Sequence, residues 1–221
     1  FNRFDAGENP RAFSEKDLPP ANFDKGNGYY RLWALCEPAG VDIDSEAVID
    51  KYRKLYYPEF NEKYHSEFDF KAYKNMFSKK DRITINDLLK KADIHWPVYR
   101  GNWSDKMLAA RDTIMELKKA VKPLLENYQK FVNSEVIEDF TPCRMDTLFP
   151  DLLAWLKVGR VYNVVNLTEA LQGNWQTGTA NILTHVDTLK KTIKGSRALI
   201  TNIIAKTMLR ESVYALGDLM N

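Results

Sequence analysis

Three histidines and two cysteines are the first side chains to test for chemistry in this chain of 221 residues. His65, His95 and His185 fall in three different predicted elements. Only His65 has a carboxylate one helical turn on, at Asp69, whereas a metal site needs three or four converging donors. The spacing therefore implies no metal, and it assigns the histidines to surface or packing roles. Cys36 and Cys143 are far apart and belong to no CxxC pair. A disulfide in an oxidising compartment and two separate thiols both stay open. The sequence holds no GxSxG elbow, no GxGxxG and no Walker A loop, so it supports neither a serine hydrolase nor a common nucleotide site. No cofactor is implied.

Carboxylates are plentiful, and a facing pair could do the general acid and base work of a glycosidase. Glu59, Glu62, Glu67, Asp69 and Asp81 are the candidates, although a solvated charged face explains them more simply. From Lys71 to Lys91, seven basic residues (Lys71, Lys74, Lys79, Lys80, Arg82, Lys90 and Lys91) stand against Asp81 and Asp87. Such a run could meet phosphate or a membrane surface, and on a near-neutral protein it more simply forms a solvated face. Arg160 shares a helical stripe with Leu153, Leu156, Val164, Leu167 and Leu171. A guanidinium on an apolar stripe needs a carboxylate or several carbonyls. It is expected to form an internal ion pair or to bind an anion at the base of a cleft. Tyr29, Tyr30, Arg31 and Trp33 make the densest aromatic cluster. They either pin an N-terminal helix to the bundle or line a groove for a peptide or glycan.

The bulk properties narrow the class. The net charge of +2 comes from 32 basic and 30 acidic residues, so no global field draws nucleic acid or anionic membrane. No stretch approaches the roughly 18 consecutive apolar residues of a membrane helix. The chain begins at Phe1, and residues 1–27 are rich in Pro, Asn, Asp and Gly with little periodicity. They read as an extended tether or as an ordinary frayed terminus. The expectation is an exported or membrane-anchored protein whose upstream anchor has been removed, and membrane contact would run through that anchor alone.

The elements that must position these residues are helical. Residues 28–103 are an aromatic-rich region of short helices, beginning with one over Gly28 to Cys36 and a second capped by Ser45 and ended by Pro58. Residues 104–221 are a long-helix bundle packed with that region as one domain. Ser104 is predicted as an N-cap, and Pro123 is predicted to kink or restart the helix. A long helix is expected from Asp151 to Gln172, with Gly173 ending it. The next carries Ile182, Leu183, Val186, Leu189 and Ile193 and stops at Gly195. Ser196 is expected to cap a last helix whose buried side is Leu199, Ile200, Ile203, Ile204, Thr207 and Met208. The class is all-α: a helical bundle built from αα-hairpins. Leu167 to Trp175 is locally TPR-like, with an Ala-bearing helix ending at Gly173 and Trp175 opening the next, but 34-residue repeats are absent. The N-x-S/T triplet at Asn166 falls inside a helix, a poor place for glycosylation.

The segments Asn27-Gly28-Tyr29-Tyr30-Arg31-Leu32-Trp33-Ala34-Leu35 and Lys194 to Ala205 resemble a loose group of uncharacterised bacterial membrane-anchored or periplasmic helical proteins. In these, a membrane helix precedes an Asn-Gly/Ala-Tyr-Tyr helix, and a helical C-terminal half ends in a Ser-x-x-Leu-Ile-x-x-x-Ile-Ala-like segment. The resemblance covers those two segments and the helix order between them. It implies a periplasmic or envelope-associated protein and brings no catalytic residues. The leading expectation is a non-catalytic envelope protein that binds a protein partner through its C-terminal hairpin groove, with Tyr29, Tyr30, Trp33, Arg160 and Trp175 as candidate contacts. Alternatives are an enzyme acting on envelope material through a carboxylate pair, and a binding protein for a small or lipid-like ligand.

Overall fold

Asn27 shows how the described chain is tied together. Its Oδ1 accepts hydrogen bonds from the backbone N–H groups of Tyr29 and of Glu138, each at 3.0 Å, and its Nδ2 donates to the Glu138 carbonyl. One side chain thus caps a helix and clasps a segment 111 residues away. The computed structural model describes residues 26–38, 40–56, 86–87, 90, 103–140 and 149–220, with the backbone alone for Cys36 and residues 54–56.

Among the described residues the chain is all-helical, and its β structure is limited to the isolated parallel bridge between Asn27 and Val136. Helix α1 is Gly28–Trp33, extended by a 3-10 turn over Ala34–Cys36, and α2 is Glu46–Tyr56. Then come α3 Trp103–Ala109, α4 Arg111–Ala120, α5 Lys122–Val132, α6 Leu152–Leu171, α7 Trp175–Gly195 and α8 Leu199–Leu219. Helix α6 is the hub, packed by α3, α4, α5, α7 and α8. A helix enclosed on every side has no reason to be amphipathic, and the α6 sequence LLAWLKVGRVYNVVNLTEAL is apolar around most of its circumference.

Several boundaries follow local rules. Asp151 Oδ1 accepts from the Ala154 N–H at 2.9 Å and opens α6. Gly173, at φ 101°, closes it. The Asn174 N–H reaches back to the Glu169 carbonyl and the Gly173 N–H to that of Ala170, which is the Schellman pattern. Pro123 sits in the first turn of α5, after a break at Val121. Helix α2 starts directly after Ser45, and α7 ends at Gly195 as expected.

Three sequence expectations are corrected. Ser104 is not an N-cap: α3 starts at Trp103, and the Ser104 N–H is taken by Asp218 Oδ2 at 2.5 Å, from the far end of the chain. Ser196 does not cap the last helix, which starts at Leu199. The buried Asp139 carboxylate accepts instead from the N–H groups of Arg197 (2.8 Å) and Ala198 (3.1 Å). A full negative charge complements a helix N-terminus better than a hydroxyl does. The buried side of α8 is as expected only in part, at the buried Met208 and at Ile204, which packs against the core. Leu199 is 76% exposed, Ile200 45% and Ile203 48%, while Thr201, Ala205, Met208, Glu211, Ser212 and Ala215 face inward. The inward polar residues meet polar groups of α6, Glu211 with Arg160 and Ser212 with Asn163.

Tyr29, Tyr30 and Trp33 lie in the core. Tyr29 meets Phe140 edge-on at 5.1 Å, and Tyr30 and Trp33 both pack edgewise on Tyr52. The Tyr30 hydroxyl donates to the Ile43 carbonyl at 2.5 Å. Arg31 forms a two-pronged pair with Asp44 (3.0 and 3.2 Å) and also donates to the Lys130 carbonyl and Ser134 Oγ, fastening α1 to α5. The carboxylate candidates Glu59 to Asp81, His65, His95, Cys143 and almost all of the basic run lie outside the described residues.

Candidate functional site

Helix α6 carries polar residues where an apolar helix should have none, and each one identifies a neighbour. Asn163 and His185 are buried and bonded, with His185 Nδ1 2.9 Å from Asn163 Oδ1. The other ring nitrogen, Nε2, is 2.7 Å from the Tyr128 hydroxyl. Asn163 Nδ2 donates to Ser212 Oγ at 2.9 Å, and that hydroxyl donates to the Met208 carbonyl. One consistent assignment follows: Tyr128 donates to Nε2, and Nδ1–H donates to Asn163. The line crosses α5, α7, α6 and α8, so a single chain of hydrogen bonds sets the relative positions of four helices.

This network is uncharged. Burial pulls the His185 pKa down from 6.5 to about 3. Burial raises Tyr128 well above the ordinary tyrosine value, with Tyr162 adding to it. Tyr162 is raised as well, again chiefly by burial, while its hydrogen bond to Gln129 opposes. A neutral histidine wedged between tyrosines and an asparagine holds helices together.

Arg160 behaves as its stripe requires. Its Nε and Nη2 lie 3.1 and 2.8 Å from the two carboxylate oxygens of Glu211, a buried residue on α8. Of the two expectations for Arg160, the internal ion pair is what the structure holds. Trp175, 47% exposed, stands at the start of α7 beyond the Schellman turn. The five candidate contacts are therefore not brought together: three are core, one locks α6 to α8, and one sits at a hairpin tip.

Two features offer surface to a ligand. The first is the outward side of α8. At 100° per residue, Leu199, Ile203, Lys206, Arg210, Val213 and Tyr214 fall on one stripe, with Ile200 and Met220 at its margins. All eight are exposed. The stripe is apolar at both ends and basic in the middle. The second is a cavity of about 440 Å³ between α4, α5, α6 and α7, with Tyr162 and Val165 at its floor and lysines at its lip. Among the described residues no group of three or more His, Cys, Asp or Glu side chains could hold a metal ion, and no helix is long and apolar enough to cross a membrane.

The stripe and the cavity were both missed in the sequence. The first signal for the interior was the run Asn163, Asn166 and Thr168 within an apolar helix, since polar side chains there must have buried partners. Fold and interior together define an all-α helical bundle. Beyond that class, no family model, no curated protein and no solved structure matches the chain.

Proposed function

We propose that this is a non-catalytic helical protein of the bacterial cell envelope that binds a protein partner, and that the outward stripe of α8 is its binding face. The observation supporting this reading is the exposure of Leu199, Ile200, Ile203, Val213 and Tyr214 on one helix whose inward side is already packed. Apolar residues grouped on a surface and interrupted by charge favour a partner that covers them. Glu211, the acidic residue beside Arg210, is turned inward to Arg160, so the centre of the stripe is basic. The matching partner is an amphipathic helix with apolar residues one turn apart and acidic residues between them. Trp175 stands at the same end of the α7–α8 hairpin as Tyr214 and would extend the contact. The TPR-like reading of the Leu167 to Trp175 sequence accords with a helix-binding role. Envelope location rests on the resemblance of the Asn27–Leu35 and Lys194–Ala205 segments.

The test is site-specific photocrosslinking in the native cells, with a benzophenone side chain at Ile203, at Tyr214 or, as control, at the exposed Thr184 of α7. The expected result is one protein adduct common to positions 203 and 214 and absent from 184. The variant Lys206→Glu should remove it without changing the melting temperature. Adducts only with lipid or with a second copy of the chain, or equal adducts at all three positions, would overturn the reading.

A further inference from the structure

The cavity between α4, α5, α6 and α7 lies away from the α8 stripe and carries its own chemistry. Its volume of about 440 Å³ falls in the range of roughly 300–1,000 Å³ typical of small-molecule sites. Met115, Leu125 and Val165 supply apolar wall, and the Tyr162 ring supplies the floor. That ring is held edge-on by His185 at 5.4 Å and tilted against Tyr128 at 5.2 Å, so the floor is backed by packed aromatic groups.

The polar groups of the floor are satisfied within the protein. Tyr162 donates to Gln129 Oε1 at 2.9 Å, Asn181 donates to Asn166 Oδ1 at 2.7 Å, and Asn166 donates to the Tyr162 carbonyl at 2.8 Å. An apolar chain can therefore lie across them without stranding a donor. The lip differs. Lys118, Lys119 and Lys122 stand there with the carboxylates of Glu126 and Glu169, leaving one positive charge in excess. Lys118 pairs with Glu169, and Lys122 lies 3.6 Å from Glu126 with both side chains well exposed, an arrangement that holds weakly. Lys119 has no carboxylate partner among the described residues.

We propose that this cavity binds a single-chain amphiphile with one negative charge, its tail against Met115, Leu125, Val165 and Tyr162 and its head at Lys119 and Lys122. The shared chemistry fits a free medium-chain carboxylate or a monoacyl lipid with an anionic head. Calorimetric titration of the whole chain with decanoate, below its micelle concentration, tests the site. One decanoate per chain is expected, with decanol at least about tenfold weaker. The exposed double variant Lys119→Glu/Lys122→Glu should weaken decanoate about tenfold while leaving decanol unchanged, because only the head meets the lysines. Met115→Trp, at a half-buried wall position, should abolish both. Tighter binding of a ten-carbon monoacyl phosphatidylglycerol supports the same site with a lipid source. No decanoate binding, equal binding of decanol, or indifference to the lysine variant would overturn the proposal. The outcome is independent of the crosslinking result, since no protein partner is present.

Discussion

Helices α6 and α8 are nearly equal in length, 20 and 21 residues, and both are rich in aliphatic side chains, yet the bundle treats them in opposite ways. Helix α6 is enclosed by five neighbours and holds Arg160, Asn163, Asn166 and Thr168 inside, every one of them hydrogen-bonded. Helix α8 turns Thr201, Glu211 and Ser212 inward and leaves Leu199, Ile203 and Val213 outside. The difference teaches that the inward face of α8 is chosen by what α6 presents. Asn163 and Arg160 require polar partners, and leaving either unmatched costs more than exposing a few aliphatic groups.

The comparison breaks most severely at Glu211. Glu211→Ala should take the paired carboxylate from the Arg160 guanidinium in a mostly buried site and destabilise the protein by about 3 kcal/mol in denaturant unfolding. The double variant Arg160→Met/Glu211→Leu should recover most of that loss, because both buried charges are gone. A small loss in the single variant would mean that water reaches Arg160 and that the pair does not decide the face of α8.

Two glycines sharpen the contrast. A Cβ on Gly178 would sit 2.4 Å from the Asn166 carbonyl oxygen, where α7 crosses α6, and backbone there cannot yield. Gly178→Ala should cost about 3 kcal/mol. On the outward stripe of α8, Gly217 has open space around the same position. Gly217→Ala should stabilise by roughly 0.5–1 kcal/mol through helix propensity and chain entropy. Paired thermal melts read both signs, and equal effects would erase the distinction between the two surfaces.

A further effect is gradual and comes with pH. His185 is held neutral, with a pKa of about 3 against 6.5 in an unfolded chain. Between those values the unfolded state binds the extra proton, so this contribution is intact above about pH 6.5 and is lost as pH falls toward 3. The slope approaches about 1.4 kcal/mol per pH unit within that window. The His185→Gln variant should be less stable at pH 7 but should show a flatter stability profile between pH 6.5 and 4. An unchanged profile would show that the network is not the neutral one described.

Much of the helical frame was legible in local residues. Asp151, Gly173, Pro123 and Gly195 each punctuate the chain within one turn of where they stand, and the stripe around Arg160 announced a partner. The candidate contacts were less legible. Tyr29, Tyr30 and Trp33 read equally well as core or groove, because an aromatic cluster on a short helix does not say what lies opposite. Here Tyr52, Phe140 and the α5 helix lie opposite, and the cluster is core. His185 looked isolated because its partners Tyr128 and Ser212 are 57 and 27 residues away.

By itself, then, the sequence determined the all-α class, most of the helix ends and the need of Arg160 for a carboxylate, since propensity, capping and charge pairing act over a few residues or on a single side chain. Tertiary structure alone decided that Asp139 and Asp218 would cap helices far along the chain, that α8 would show its aliphatic residues to solvent, and that four helices would enclose a cavity. Those outcomes depend on which surfaces meet, and a surface is assigned only when neighbouring helices arrive with groups that must be matched.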